Sequence, residues 1–240
     1  MAGTVNRAPL VGVDGVPAAP LAWLFPLRCV VCGEAGVDGR DLCRSCHDAL
    51  PWQGPACPRC ALPAPAGDTC GRCLQSTSPL ACVRAVFDYA FPLDRLLPRL
   101  KFHHDFAAGR VLVQCMAERL GGLPRPDAVV PVPLHRARLR RRGYDQALEL
   151  ARPLASALQL PLHTGLLQRS KATTAQSRLD ADARQRNLRG AFAVSGCTAP
   201  GHVVLVDDVM TTGATLEAAA RVLRQAGVQR VDAWVCARVA

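Results

Sequence analysis

Val203-Val204-Leu205-Val206-Asp207-Asp208-Val209-Met210-Thr211-Thr212-Gly213-Ala214-Thr215 decides the fold of this chain. Its β-branched apolar run reads as a buried strand that stops at two adjacent carboxylates. A short hydroxyl- and glycine-containing turn follows, and residues 216–223 then take helical spacing. Strand, acidic pair, turn, helix is an order that builds an anion site at a helix N-terminus, where free amides and the helix dipole favour a phosphate. Gly213 lets backbone approach closely, and the threonine hydroxyls donate. Asp207 and Asp208 repel a phosphate but suit hydroxyl groups or a metal ion on the same ligand. The pattern predicts a site for a phosphorylated sugar. An ordinary helix cap needs one such residue, whereas this turn supplies several at the spacing of a phosphate cup.

The segment resembles the phosphoribosyl pyrophosphate (PRPP) motif of type I phosphoribosyltransferases. That resemblance implies that Asp207 and Asp208 contact ribose hydroxyls. It also implies that Thr211, Thr212, Gly213, Ala214 and Thr215 wrap the 5′-phosphate.

Four C-x-x-C pairs precede this region: Cys29/Cys32, Cys43/Cys46, Cys57/Cys60 and Cys70/Cys73, separated by 10, 10 and 9 residues. Two thiolates three positions apart hold one tetrahedral metal from a tight turn, and two such turns complete a four-cysteine site. Eight ligands predict two structural zinc ions. The tract is glycine-rich and poor in core formers, so metal binding is expected to supply most of its folding free energy. Either neighbouring or alternate pairs can share a metal, and the spacing leaves both open. Cys82, Cys115, Cys197 and Cys236 stand alone in apolar contexts and read as ordinary thiols.

The 240 residues suffice for one α/β domain and a small appendage, and half of them are hydrophobic. The formal charge is +10, carried almost wholly by arginine, since Lys101 and Lys171 are the only lysines. Arginine favours bidentate phosphate contacts, but charge alone does not choose among nucleic acid, a polyphosphate ligand and a soluble basic surface. Residues 8–27 lack a basic start and an unbroken apolar stretch, and no run is long enough to span a bilayer. A cytoplasmic protein without membrane insertion is expected. Residues 1–20 read as a leader, residues 21–78 as the zinc-binding module, with Leu21, Trp23, Leu24 and Phe25 against the cysteines, and residues 79–240 as the main domain.

Within the main domain, strands are expected at 83–90, 127–133, 203–206 and 228–236. Helices are expected at 92–100, 106–120, 144–158 and 214–226. This alternation predicts a parallel sheet with helices on both faces, with ligands beyond the strand C-termini. An arginine-dense loop, residues 135–146, leaves the second strand. Arg138 and Arg142 are its candidates for a pyrophosphate, against a solvated basic loop as the alternative. The polar stretch 169–190 reads as a lid or an exposed connection, with Lys171 and Arg184 as its candidate anion contacts. His103 and His104 read as a surface turn, and Lys101 beside them as a cation within reach of a phosphate.

The cysteine pairs, the "LKF" segment, "PVPLHRARLRRRGYDQA", "RSKATTAQSRL…RQRNLRGAF" and "VVLVDDVMTTGAT" follow the order seen in ComF-family proteins. The chain resembles them from residue 21 onward. The resemblance implies a double zinc ribbon before a type I phosphoribosyltransferase fold, PRPP or a related sugar phosphate with Mg²⁺ as ligand, and a link to DNA uptake in natural competence. It implies a glycosyltransferase reaction of the phosphoribosyltransferase type with an unspecified acceptor. The alternatives are an adaptor for single-stranded DNA or the uptake machinery, and a PRPP sensor. Tyr144-Asp145 departs from the Phe-Asn common in the family, Thr174 and Ala175 replace prolines, and His104 stands where glycine is frequent.

Overall fold

The computed structural model describes residues 26–170, 190–196 and 200–240. Expectations for the leader, for Leu21 to Phe25, for Lys171 and Arg184, and for Cys197 fall outside them. The chain divides into two compact units, residues 1–47 and 48–240. The described part of the smaller unit is a set of turns with a single bridge between Arg28 and Ala35. It closes with the short helix α1 (Arg44–Asp48).

The larger unit begins with turns and the short helix α2 (Gly71–Leu74). It continues as β1 (Cys82–Asp88), α3 (Leu93–His103), α4 (Phe106–Leu120), β2 (Ala128–Pro131), α5 (Arg136–Arg142), α6 (Gln146–Ala157), β3 (Leu167–Arg169), β4 (Phe192–Val194), β5 (His202–Met210), α7 (Ala214–Gln225) and β6 (Arg230–Arg238). Its main sheet has the order β1-β6-β5-β2, and every pairing is parallel. A lone parallel bridge from Val129 to Leu162 extends the β2 edge. β3 and β4 form a separate antiparallel pair.

β5 is buried on both faces, as a central parallel strand requires, which is why Val203 to Val206 reads as an unbroken apolar run. Val203 and Leu205 share a core with Val231, Ala233, Val235 and the inner side of α7: Leu216, Ala219, Ala220 and Leu223. α6 covers β2 and β5 on the sheet, with α4 beside it. The expected α/β fold with flanking helices is the observed one.

Three expectations are corrected. The central strand, expected to end at Val206, runs on to Met210, because β6 offers a ladder of equal length that pairs Met210 with Arg238. The expected arginine loop is largely a helix, α5, started by His135 and ended by Gly143 in the left-handed region. The histidine turn is the end of α3. There His104 has φ 53°, with its amide bonded to the carbonyl of Arg99, a conformation that favours glycine. Among the described residues no helix is long and apolar enough to cross a membrane.

Leu205 lies on the central strand and is fully buried. Replacing it with alanine should cost about 2–5 kcal/mol through lost burial and a residual cavity. Denaturant unfolding followed by circular dichroism measures this; a loss below about 1 kcal/mol would contradict its place at the centre of the core.

Candidate functional site

At the C-terminal end of β5 the backbone turns sharply into α7. Gly213 makes that turn with φ 85°, and a Cβ there would come within 2.5 Å of the Met210 Cε. No side chain caps this helix start. Thr212 Oγ1 accepts only a long contact, 3.4 Å, from the Ala214 amide. Asp207, Thr211, Thr212, Gly213, Ala214 and Thr215 line one small concavity. It has the amides, hydroxyls and glycine that a phosphate needs, at a helix end left open toward it.

The acidic pair borders a second, larger cavity. Asp207, Asp208 and Thr215 line it together with Lys101, Arg138, Arg142, Asp145, Gln146 and Arg169. Lys101 Nζ sits 2.7 Å from Asp208 Oδ2, so the lysine singled out for a phosphate is engaged by the carboxylate. Asp208 Oδ1 also accepts from the amide of Val209 at 2.7 Å. Asp207 accepts from the amide of Asp208 at 2.9 Å. Burial pushes the Asp207 carboxyl well above the usual carboxylate range, and the neighbouring Asp208 charge adds to the rise. The Asp208 amide and Lys101 pull against it. Such a pair gains from a ligand hydroxyl or a cation placed between its oxygens.

Arg138 and Arg142 lie four positions apart on α5, which puts both on the face toward the cavity. Burial lowers the pKa of Arg138, and the charges of Arg142 and Arg141 add to that. Arg142 donates to Gln146 Oε1 at 2.7 Å and stacks over Phe102. The Gln146 Nε2 is buried without a hydrogen-bond partner. Asp145, the departure from asparagine, lines the same cavity, and burial raises its carboxyl against three backbone amides, with the Asp208 charge adding to the rise. Its oxygens accept from the amides of Leu134, Ala147 and Leu148, so it caps α6 and ties down the segment after β2. Tyr144 reaches across to the carbonyl of Leu100, joining this segment to the end of α3.

Cys29, Cys32, Cys43 and Cys46 form one cluster, and Cys57, Cys60, Cys70 and Cys73 another. Pairing is therefore between neighbours in sequence. Within each cluster the sulfurs lie within 4.8 Å of one another. The Cys32–Cys43 and Cys60–Cys70 sulfur pairs are each 3.7 Å apart. A tetrahedral zinc with 2.3 Å bonds requires sulfurs about 3.8 Å apart, so the residues fit the metal. All eight thiols are free of disulfides. Despite its burial, Cys57 is lowered to about 6 by the amides of Cys70, Arg59 and Cys60. Cys73 is pushed up by burial and by its sulfur neighbours. The same split separates Cys29, lowered to about 6, from Cys46, which is raised. Four thiolates gather at one point only with a cation to hold them.

The double zinc ribbon domain family matches residues 20–74, and the phosphoribosyl transferase domain family matches residues 144–240. The DNA utilization protein YhgH of Salmonella typhi is 39% identical over 204 residues, which are 82% of this chain and 90% of that protein. Its Escherichia coli K12 counterpart is 36% identical over the same shares. Competence protein F of Haemophilus influenzae is 35% identical over 225 residues, 89% of this chain and 98% of that protein. The chain belongs to the ComF family.

In this ComF-family chain the structure brings Arg138 and Arg142 to the cavity that the acidic pair borders. The sequence reading missed Gln146 and Arg169 as cavity residues and gave no role to Arg238. A helix start predicts a first-turn glutamine, and only the fold shows that its amide faces a cavity. Arg169 was legible as the first residue of the polar stretch, but its direction depends on the β3–β4 pair.

Two zinc ions per chain are expected on elemental analysis of the purified protein, and a fully folded, metal-free preparation would refute the ribbons. The raised Asp207 carboxyl has its own consequence. The folded protein holds this proton more tightly than the unfolded chain does, so ionisation at neutral pH costs stability, and the cost fades as the pH falls toward the ordinary aspartate range. Asp207→Asn should therefore raise the thermal midpoint of the unliganded protein by a few degrees at pH 7, with the gain vanishing below about pH 4. A lowered midpoint at pH 7 would reverse the assigned sign.

Proposed function

We propose that the cavity binds PRPP with Mg²⁺. In this reading the 5′-phosphate sits in the 211–215 turn and the ribose hydroxyls lie on Asp207 and Asp208. Arg138 and Arg142 take the pyrophosphate, with Lys171 and Arg184 as further contacts. The observation that carries the reading is the opening of one cavity onto both the acidic pair and the two arginines of α5. Carboxylates and guanidinium groups in one lining suit a ligand that carries both hydroxyls and a pyrophosphate. As modules we keep a leader of residues 1–20, a cysteine module of residues 21–78 and a phosphoribosyltransferase-like domain of residues 79–240, in the cytoplasm.

The reaction assigned to the site is phosphoribosyl transfer. The bond between the anomeric carbon and the pyrophosphate oxygen breaks while a nucleophile of the acceptor bonds to that carbon, and pyrophosphate leaves. Mg²⁺, when bound with the ligand, supplies Lewis-acid stabilisation of the departing anion. The protein contributes position and charge. Asp207 and Asp208 hold the ribose, the turn fixes the phosphate, and the guanidinium groups favour the charge that develops on the pyrophosphate. A sensor would use the same contacts without an acceptor.

Titration of PRPP with Mg²⁺ by calorimetry tests this. Wild type should bind, and the Asp207→Asn/Asp208→Asn double variant should bind at least about tenfold more weakly, since charge-assisted hydrogen bonds are lost. No wild-type binding would end both the enzyme and the sensor readings. Binding without pyrophosphate release across a panel of bases would favour the sensor.

One observation favours the adaptor for single-stranded DNA. Phe91, Phe102 and Phe106 are each about 60% exposed. Arg95 stacks on Phe91 and Arg142 on Phe102. Exposed rings beside arginines suit unpaired bases, a platform that the sparse aromatic content does not announce. Steeply salt-dependent DNA binding that survives loss of the acidic pair would support this second reading.

A further inference from the structure

Arg238 ends β6 and is 3% exposed. Its guanidinium is surrounded by backbone carbonyls from three places in the chain. Nε donates to the carbonyl of Cys60 at 2.8 Å. Nη1 donates to the carbonyls of Met210 at 3.1 Å and Thr211 at 2.5 Å, and also to that of Val239. Among the described residues no carboxylate pairs with it. Burial works against its charge, which the surrounding carbonyl oxygens favour. The guanidinium thus bridges the carbonyl of a metal-ligand cysteine to the last residue of β5 and the first of the phosphate turn.

The cysteine turn is itself fastened to the domain. The amide of Val83 donates to the carbonyl of Pro58 at 2.7 Å, and Gln53 Nε2 to that of Ala61 at 2.9 Å. Ala61 lies in the same core as β5 and β6. Metal at Cys57, Cys60, Cys70 and Cys73 therefore fixes the Cys60 carbonyl against the sheet. Without it the turn has little apolar core of its own, and the guanidinium loses the Cys60 carbonyl.

We infer that Arg238 is a positioning residue through which the second zinc site holds the 210–211 backbone, so that zinc at this ribbon sets the rigidity of the phosphate turn. A phosphate cup made of backbone amides works only when the amides are held in place before the ligand arrives, and this anchor does so from below. Its consequence for ligand binding rests on the PRPP reading of the turn, while the anchoring itself does not.

Hydrogen exchange read by mass spectrometry over residues 207–216 of the zinc-loaded, full-length protein tests the anchor. Arg238→Met should keep two zinc ions and speed exchange at 210–213 by about tenfold, through local opening. Cys73→Ser, which disables the second metal site without altering the Cys60 carbonyl, should leave one zinc and produce the same acceleration. The double variant should exchange no faster than Arg238→Met alone, as expected for two changes on one connection. Wild-type exchange at 210–213 in Cys73→Ser, or accelerations that multiply in the double variant, would overturn the inference. Should Arg238→Met not fold, Arg238→Lys serves instead, because it keeps the cation but cannot bridge carbonyls on both sides. Calorimetry with ribose 5-phosphate on the same proteins should show affinity falling about tenfold in each single variant. A wild type that ignores ribose 5-phosphate while the exchange pattern holds would sink the PRPP reading and leave the anchor standing.

Discussion

The parallel pairing of β5 with β2 on one side and β6 on the other is the constraint on which the rest depends. Eight residues of β5 are held in register along β6, from His202 against Arg230 to Met210 against Arg238. A strand gripped on both edges cannot slip, because a one-residue shift would send Val203 and Leu205 to the opposite face. The carboxylates of Asp207 and Asp208 are therefore delivered at one height above the sheet, and the turn into α7 starts from a fixed point. A ligand site at a sheet's C-terminal edge inherits its precision from that ladder.

Charge is then arranged around the fixed strand so that like groups are pressed together. Asp207 and Asp208 line the cavity together with Arg138 and Arg142. Burial raises the carboxyl of Asp207, with the Asp208 charge adding to the rise, and lowers the pKa of Arg138. Lys101 pairs directly with Asp208 and opposes only part of the Asp207 rise. Unmet electrostatic demand of this kind is where a protein stores binding energy for a ligand, at some cost to its own stability. The two cysteine clusters follow the same logic, each gathering four thiols that only a metal reconciles.

Several residues carry their roles on their face, and others do not. The C-x-x-C spacing announces metal ligands, but which pairs share a metal is decided by the path of the backbone between them. Asp145 reads as a departure from the asparagine common in the family. In the fold it is a helix cap that accepts three amides, a role that depends on where residue 134 passes. Residues 135–146 look like a loop because arginines have no apolar period to display, yet the His135 cap and the left-handed Gly143 close them into a helix. His104 took a turn position in the sequence reading, and its left-handed backbone explains why glycine is at home there.

Composition, periodicity and local motif determined the α/β class, the strand that carries Asp207-Asp208, the threonine- and glycine-containing turn after it, and the eight clustered cysteines. Each of those depends on neighbours within a few positions, where one chain segment carries its own instructions. Only the tertiary structure decided that Arg238 joins Cys60 to Thr211, that Gln146 and Arg169 face the same cavity, and that Lys101 engages Asp208. Such contacts join residues brought together by strand order and helix packing, and no spacing along the chain encodes them.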